Sequence, residues 1–257
     1  MKRNLLRLSA IVTALALVFA ATALGKREVV RAGNLVFTDN GGISPSKLPK
    51  HGSAPITARI IGTVGTADGG HPPALRAVHA EVDKTIQLDA VGIPTCRQDQ
   101  LQARDTASVE AACGDAVVGS GSAEVAVSFP EQAPFSATGP VLLFNGGVQG
   151  KKTTLFLHAY VNVPAPTAVV TRVTVTRVDR GRFGLELDAA IPRIAGGAGS
   201  PTKFELKIGR RFTYKGEEKS FLTASCPTGS WQTRGEVSFY DDTKLAVSHV
   251  FPCTPRG

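Results

Sequence analysis

Apolar and polar residues alternate with a period of two along most of the chain from Pro55 onward. In "KFELKIG" (203–209) every second residue is apolar, and "GLELDAAI" (184–191) repeats the pattern. Successive side chains of a strand point to opposite faces, so this alternation is typical of half-buried antiparallel strands. Further strands are predicted at 55–64, 74–88, 123–129, 141–145, 153–163, 169–178, 219–226, 231–240 and 244–251.

The number of predicted strands and the single helical interruption predict an all-β fold, an antiparallel two-sheet β-sandwich with a short disulfide-closed helical insert. Residues 55–257 are expected to form one domain, with the insert at 95–113. Residues 24–54 are interpreted as an extended N-terminal arm in which "NLVFTD" (34–39) is a possible first strand. The segments "FNGGVQGKK" and "FYDDTK" are typical of hairpin connections.

The insert is predicted from helix-forming residues at 94–115. Thr95 and Gln98 have the spacing of a capping box, and Asp105 followed by Thr106 indicates a second helix start. Gly114 stands where a helix is expected to end. The segment therefore predicts two short helices that fold back on each other.

The four cysteines are interpreted as two structural disulfides, Cys96–Cys113 and Cys226–Cys253. A straight helix would place Cys96 and Cys113 about 25 Å apart, far beyond the Cα separation of about 7 Å that a disulfide allows. The folded-back helices remove this obstacle, and the second pair follows by elimination. A zinc site would need closely spaced Cys or His pairs, and a redox pair is usually C-x-x-C; neither spacing occurs here.

The first 23 residues have the pattern of a signal peptide: a basic start, an apolar run at Leu8–Ala20 and small residues at Ala21–Ala23. We therefore expect a secreted protein with no membrane span after cleavage. Loss of three basic residues lowers the net charge from +8 to +5. A mild basic excess suits a soluble surface, and it also suits a partner such as an anionic envelope polymer or another envelope protein. No nucleic-acid partner is expected, and a monomer is the default.

One candidate site lies in "VHAEVDK", where His79, Glu81 and Asp83 occupy alternate positions of one strand. An imidazole and two carboxylates on one face can ligate a metal or act as an acid/base pair. The favoured alternative is that these residues form the solvent face of the strand. No G-x-S-x-G elbow is present. The sequence therefore assigns no catalytic, cofactor or metal residue.

A second candidate is the segment "TLFLHAYVNV", in which Phe156, His158 and Tyr160 share the face opposite to the apolar one. An aromatic and polar stripe on the outer side of a sheet can contact a sugar or a partner protein, which makes this stripe a candidate ligand surface. The alternative, which we favour, is that the helical insert or the N-terminal arm covers the stripe.

The segments "HPPAL", "FPEQAPF", "LLFNGG", "VPAPT", "IPRIAGG" and "TYKGEEKSFLTASC" resemble a family of exported bacterial β-rich proteins of uncharacterised function. The resemblance extends over most of the mature chain. It implies export and a β-rich domain, and it carries no catalytic or ligand residue to this sequence.

These features favour an exported, non-enzymatic binding or structural module of the extracellular space or cell envelope. The alternative is a hydrolase or lyase that acts on envelope polysaccharide.

Overall fold

The computed structural model describes residues 23–24, 27–162 and 165–257, and of residues 23–24 only the backbone. Apart from Ala23, the predicted signal peptide lies outside the described residues. The described part of the protein is mostly β, with 63% of the described residues in strands and 8% in helical structure. None of the helices in the described ranges has the length and apolarity of a membrane span.

The strands before the insert are β1 (Ala23–Leu24), β2 (Glu28–Ala32), β3 (Leu35–Ser44), β4 (Lys47–Pro49), β5 (Ala54–Pro55), β6 (Thr57–Thr66), β7 (Leu75–Asp83) and β8 (Ile86–Leu88). Strand β6 lies close to the predicted strand at 55–64, and the predicted strand at 74–88 is divided into β7 and β8. The possible strand in "NLVFTD" is part of β3, and residues 24–54, interpreted as an extended arm, also form β2 and β4; β2 and β3 belong to the main sheet. The insert contains α1 (Gln98–Leu101), α2 (Thr106–Cys113) and a 3-10 turn at Gly114–Ala116.

The strands after the insert are β9 (Val117–Val127), β10 (Phe135–Gln149), β11 (Lys152–Val161), β12 (Thr167–Arg180), β13 (Phe183–Ala190), β14 (Gly199–Ile208), β15 (Arg211–Tyr214), β16 (Glu217–Ser220), β17 (Leu222–Ala224), β18 (Ser230–Phe239), β19 (Lys244–Pro252) and β20 (Thr254–Arg256). A 3-10 turn at Ala195–Gly197 precedes β14. Both predicted hairpins are found, between β10 and β11 and between β18 and β19.

The main sheet is one continuous antiparallel sheet that is nearly closed and barrel-like. Its order is β1-β3-β6-β14-β9-β10-β11-β12-β13-β7-β18-β19, and β2 pairs with β3 beside β1. The expected two-sheet sandwich is therefore corrected to a single curled sheet. Period-two alternation shows that one face of each strand is buried; it does not show whether a second sheet or the far side of the same sheet covers that face.

The inward face of this sheet is filled with apolar side chains. Leu143, Leu155, Val175 and Leu185 are buried there in one cluster, together with Trp231, which is fully buried. The indole nitrogen of Trp231 donates a hydrogen bond to the carbonyl oxygen of Ser225 at 2.8 Å, so its polar atom is satisfied. The interior is a packed core.

Two small sheets add to the same core. The sheet β5-β17-β8 contributes Ile86, Leu88, Leu222 and Ala224, all buried. The short parallel pair of β4 and β20 lies next to the Cys226–Cys253 disulfide, because the Cys226 amide donates to the carbonyl of Pro49 at 2.9 Å. The predicted Cys226–Cys253 bond is confirmed, with a Cα separation of 6.1 Å.

The helical insert has the predicted form of two short helices closed by a disulfide. The Cα atoms of Cys96 and Cys113 are 5.6 Å apart and the disulfide is present. Asp105 caps the second helix, because its carboxylate accepts a hydrogen bond from the Ser108 amide at 2.8 Å. The predicted capping box of Thr95 and Gln98 is wrong: the first helix begins after Arg97, whose amide donates to the Gln100 side chain at 3.0 Å.

The two ends of the main sheet come close to each other without closing the barrel. Strand β19 lies beside β2 and β3, yet no backbone ladder joins β19 to either of them in the described part of the chain. A buried side-chain contact bridges this seam instead: Nδ1 of His249 is 3.0 Å from Oδ2 of Asp39. Burial raises the pKa of Asp39, although the hydrogen bond to His249 opposes that rise.

Candidate functional site

The predicted ligand surface lies largely beneath the helical insert. Phe156 is 5% exposed and His158 is fully buried, whereas Tyr160 is only half-buried. Phe156 packs in one cluster with both cysteines of the insert, and Arg172, which is 5.6 Å from its ring, donates to the Gln98 side chain. The covered-stripe alternative therefore describes Phe156 and His158, and these two side chains present no surface to a ligand.

His158 connects the insert to the sheet through a hydrogen bond. Its Nε2 is 2.9 Å from the carbonyl oxygen of Arg104, in the loop between the two helices, and so carries the proton. Its Nδ1 is buried without a hydrogen-bond partner in the described structure. Burial lowers the pKa of His158, because a charged ring would be desolvated there.

This environment predicts that the protein loses stability in mild acid. The unfolded chain binds a proton at His158 near pH 6.5, whereas the folded chain binds it only at lower pH. As pH falls below about 6.5 the unfolded state therefore binds more protons, and the free energy of unfolding decreases. His158→Gln keeps a donor for the Arg104 carbonyl and removes the titration. Urea unfolding at about pH 7.5 and pH 5 should show a smaller loss for the variant than for the parent; an equal loss would contradict this role.

His79 belongs to a polar cluster on the outer face of β13 and β7. The sheet pairs His79 directly with Asp188, and their side chains meet, with Nδ1 of His79 2.8 Å from Oδ1 of Asp188. The neighbouring Glu186 places a carboxylate oxygen 4.0 Å from the same nitrogen. One possible ligand atom from each of these three residues lies within 4.8 Å of the others.

The other two predicted residues of this strand, Glu81 and Asp83, are covered by arginines. Glu81 is 6% and Asp83 4% exposed, so the solvent-face interpretation does not hold for them. Arg234 donates a hydrogen bond to Glu81, and this contact holds the pKa of Glu81 below its usual range. Nε of Arg182 lies 2.9 Å from Oδ2 of Asp83. Both carboxylates therefore have charged partners on the outer face.

The arrangement around His79 can do two things chemically. One imidazole nitrogen and two carboxylates are a donor set suited to a borderline divalent metal ion. The His79–Asp188 contact is also the arrangement of a base held by an orienting carboxylate. In the structure the charge of Glu186 is compensated within the protein, because Arg180 lies 3.1 Å from Glu186 and 3.7 Å from Glu81, whereas Asp188 contacts His79.

A shallow groove, called here the basic groove, crosses the outer face of β2, β3 and β6. Arg27 and Arg31 stand along it. Its floor is formed by small and β-branched residues, among them Thr38, Thr63 and Gly65. Gly65 contributes to the depression, because no side chain stands there and the space above it is open.

Sequence reasoning found His79 and missed the other partners. Glu186 and Asp188 stand on the polar face of "GLELDAAI", which was recognised, but their contact with His79 depends on β13 pairing with β7. The basic groove depends likewise on β2, β3 and β6 lying side by side. Alternation indicates the face on which a residue lies, but it does not identify the residue beside it on the neighbouring strand.

Comparisons of the chain with protein-family models, with curated proteins and with solved structures found no match.

Proposed function

We propose that this protein is an exported, non-enzymatic binding module of the extracellular space or cell envelope, and that it binds its partner on the outer surface of the curled sheet. The observation that carries the proposal is the filled interior. A packed cluster around Trp231 occupies the inward face, and the basic groove is an open depression on the surface.

Export is supported by the disulfides and by the N-terminal pattern. Two disulfides and no free cysteine are present among the described residues, and such bonds persist in oxidising compartments. The signal-like first 23 residues and the resemblance to exported bacterial proteins agree with this location. Cleavage of the predicted signal peptide removes three basic residues and lowers the net charge from +8 to +5. This positive charge suits a partner anchored in the envelope, such as an anionic polymer.

The alternative function is that of a hydrolase or lyase that acts on envelope polysaccharide. It is favoured by the His79–Asp188 contact of 2.8 Å, in which the carboxylate can orient the imidazole as a base. Arg180 compensates Glu186 of this cluster, and the basic groove lies on other strands, β2, β3 and β6. For this reason binding without turnover is the conclusion we draw.

Retention on envelope material tests the proposal. The purified protein should co-sediment with the insoluble envelope fraction of the source organism, saturate it, and be released as salt rises above about 0.15 M, since salt screens surface charges. Cytochrome c is the control for unspecific attraction of a basic protein. Absence of saturable retention, or retention no stronger than that of cytochrome c, would contradict the proposed function.

A further inference from the structure

We propose that the basic groove is the binding site of the module and that its ligand is an acidic polysaccharide, whose carboxylates are held by Arg27 and Arg31. This inference rests on the proposed function and names its ligand class.

The groove is built by the register of three neighbouring strands. Arg31 of β2 lies directly across from Val36 of β3, and Val36 lies across from Gly65 of β6. Two residues further along, Thr38 pairs with Thr63. Directly paired residues of an antiparallel ladder point to the same face, so Arg31 stands above a floor of short side chains. The groove therefore runs across the three strands.

The two arginines are free to bind an anion. Neither Arg27 nor Arg31 has an ion pair or side-chain hydrogen bond within the described ranges, and both are exposed. On the next strands of this face the situation differs, because Arg59 lies 2.7 Å from Glu205 and is neutralised by it. Unpaired guanidinium groups present several donors in a planar fork that matches a carboxylate.

One carboxylate lies near the groove and gives it a direction. Asp68 follows Thr66, the last residue of β6, and hydrogen bonds from the Asn34 side chain and the Gly70 amide lower the pKa of Asp68 to about 2. Asp68 is therefore ionised at neutral pH, and it directly follows Ala67, the last residue along the chain that lines the groove, so it repels an anion there. The carboxylates of a ligand are held on the side of Arg27 and Arg31.

The remaining groups of the groove favour a sugar polymer over a lipid surface. Thr63 lines the floor and is half-buried, and its hydroxyl makes no hydrogen bond in the described part of the chain, so it can bind a sugar hydroxyl. Val29, across from Thr38 and 47% exposed, offers a small apolar contact for a sugar ring. A membrane surface would instead require a larger apolar face.

The test compares the affinity of variants for polygalacturonate, with neutral dextran as the uncharged control. Arg27→Gln/Arg31→Gln should weaken binding about twenty-five-fold, since each exposed charge contact contributes about fivefold. Gly65→Val fills the groove at unchanged charge, and a Cβ at this position meets no atom within 4 Å; it should weaken binding about tenfold or more. Lys152→Gln, on β11 far from β3 in the sheet order, removes one exposed charge and should change affinity less than about twofold.

The possible outcomes distinguish failure of the groove as the binding site from failure of the proposed function. If the parent binds polygalacturonate and the groove variants, with unchanged melting temperatures, bind equally well, the groove is not the site, although the proposed function survives. Equal weakening by Lys152→Gln and by Gly65→Val, or stronger binding to anionic phosphatidylglycerol vesicles than to polygalacturonate, would also overturn the inference. If the parent binds neither polygalacturonate nor envelope material, the proposed function itself fails.

Discussion

Replacing Trp231 by alanine is expected to lower the free energy of unfolding by about 3–5 kcal/mol, the usual cost of deleting a large aromatic side chain from a core. The indole is fully buried within the main core cluster, and its nitrogen bonds the Ser225 carbonyl at 2.8 Å. The truncation leaves a cavity and an unsatisfied carbonyl in the filled interior. Urea unfolding followed by far-UV circular dichroism measures the loss.

Val250 provides the matched control for this change. It lies on β19 beside the strand that carries Trp231, but it is 53% exposed. Val250→Ala should therefore change the stability by no more than about 0.5 kcal/mol. A cost of less than about 1 kcal/mol for Trp231→Ala would show that the interior is loosely filled. The filled interior would then no longer support binding on the outer surface of the sheet.

The second large effect is expected from the disulfide that ties the C-terminal strands together. Changing both Cys226 and Cys253 to alanine opens a loop with a sequence separation of 27, which costs about 3 kcal/mol in the loop-entropy model. Cys226 belongs to the same core cluster as Trp231. The only tryptophan of the chain should therefore report the change as a shift of its fluorescence emission.

The other disulfide is the comparison for this experiment. Cys96→Ala/Cys113→Ala opens a loop with a separation of 17 and should also cost about 3 kcal/mol. Its cysteines lie in the insert cluster on the outer face, so the Trp231 emission should stay as in the parent. Identical emission spectra for the two double variants, or a loss below about 1 kcal/mol for Cys226→Ala/Cys253→Ala, would contradict this assignment.

The strands were predictable from the sequence because burial on one face imposes period two on each of them separately. Phe204, Leu206 and Leu185 show this pattern without any knowledge of their partners. The cysteine pairs were predictable as well, since few pairings of four cysteines satisfy the insert geometry. Closure of the sheet was not predictable. It depends on pairings between distant segments, such as β3 with β6 and β13 with β7, that alternation does not encode.

The candidate sites differ in the same way. His79 could be found because it shares one face of an alternating strand with Glu81 and Asp83. Its contact with Asp188, 109 residues later, comes from the ladder register. Phe156 and His158 could be placed on one face of their strand, but the residues that cover this face could not. The insert covers it, and the Cys96 amide holds the insert there by donating a hydrogen bond to the Asn145 carbonyl at 2.8 Å. The basic groove needed Gly65, a residue whose contribution is the absence of a side chain.

The measurement that tests the central claim most directly is size-exclusion chromatography of the purified protein after long incubation with polygalacturonate. Binding on the outer sheet surface without chemistry predicts that the protein co-elutes with the polymer and that the polymer keeps its elution volume, with no new reducing ends. Arg27→Gln/Arg31→Gln should then elute mainly as free protein. Shortened polymer that accumulates in proportion to protein and time, and that disappears with His79→Ala, would contradict the account and establish the hydrolase or lyase instead.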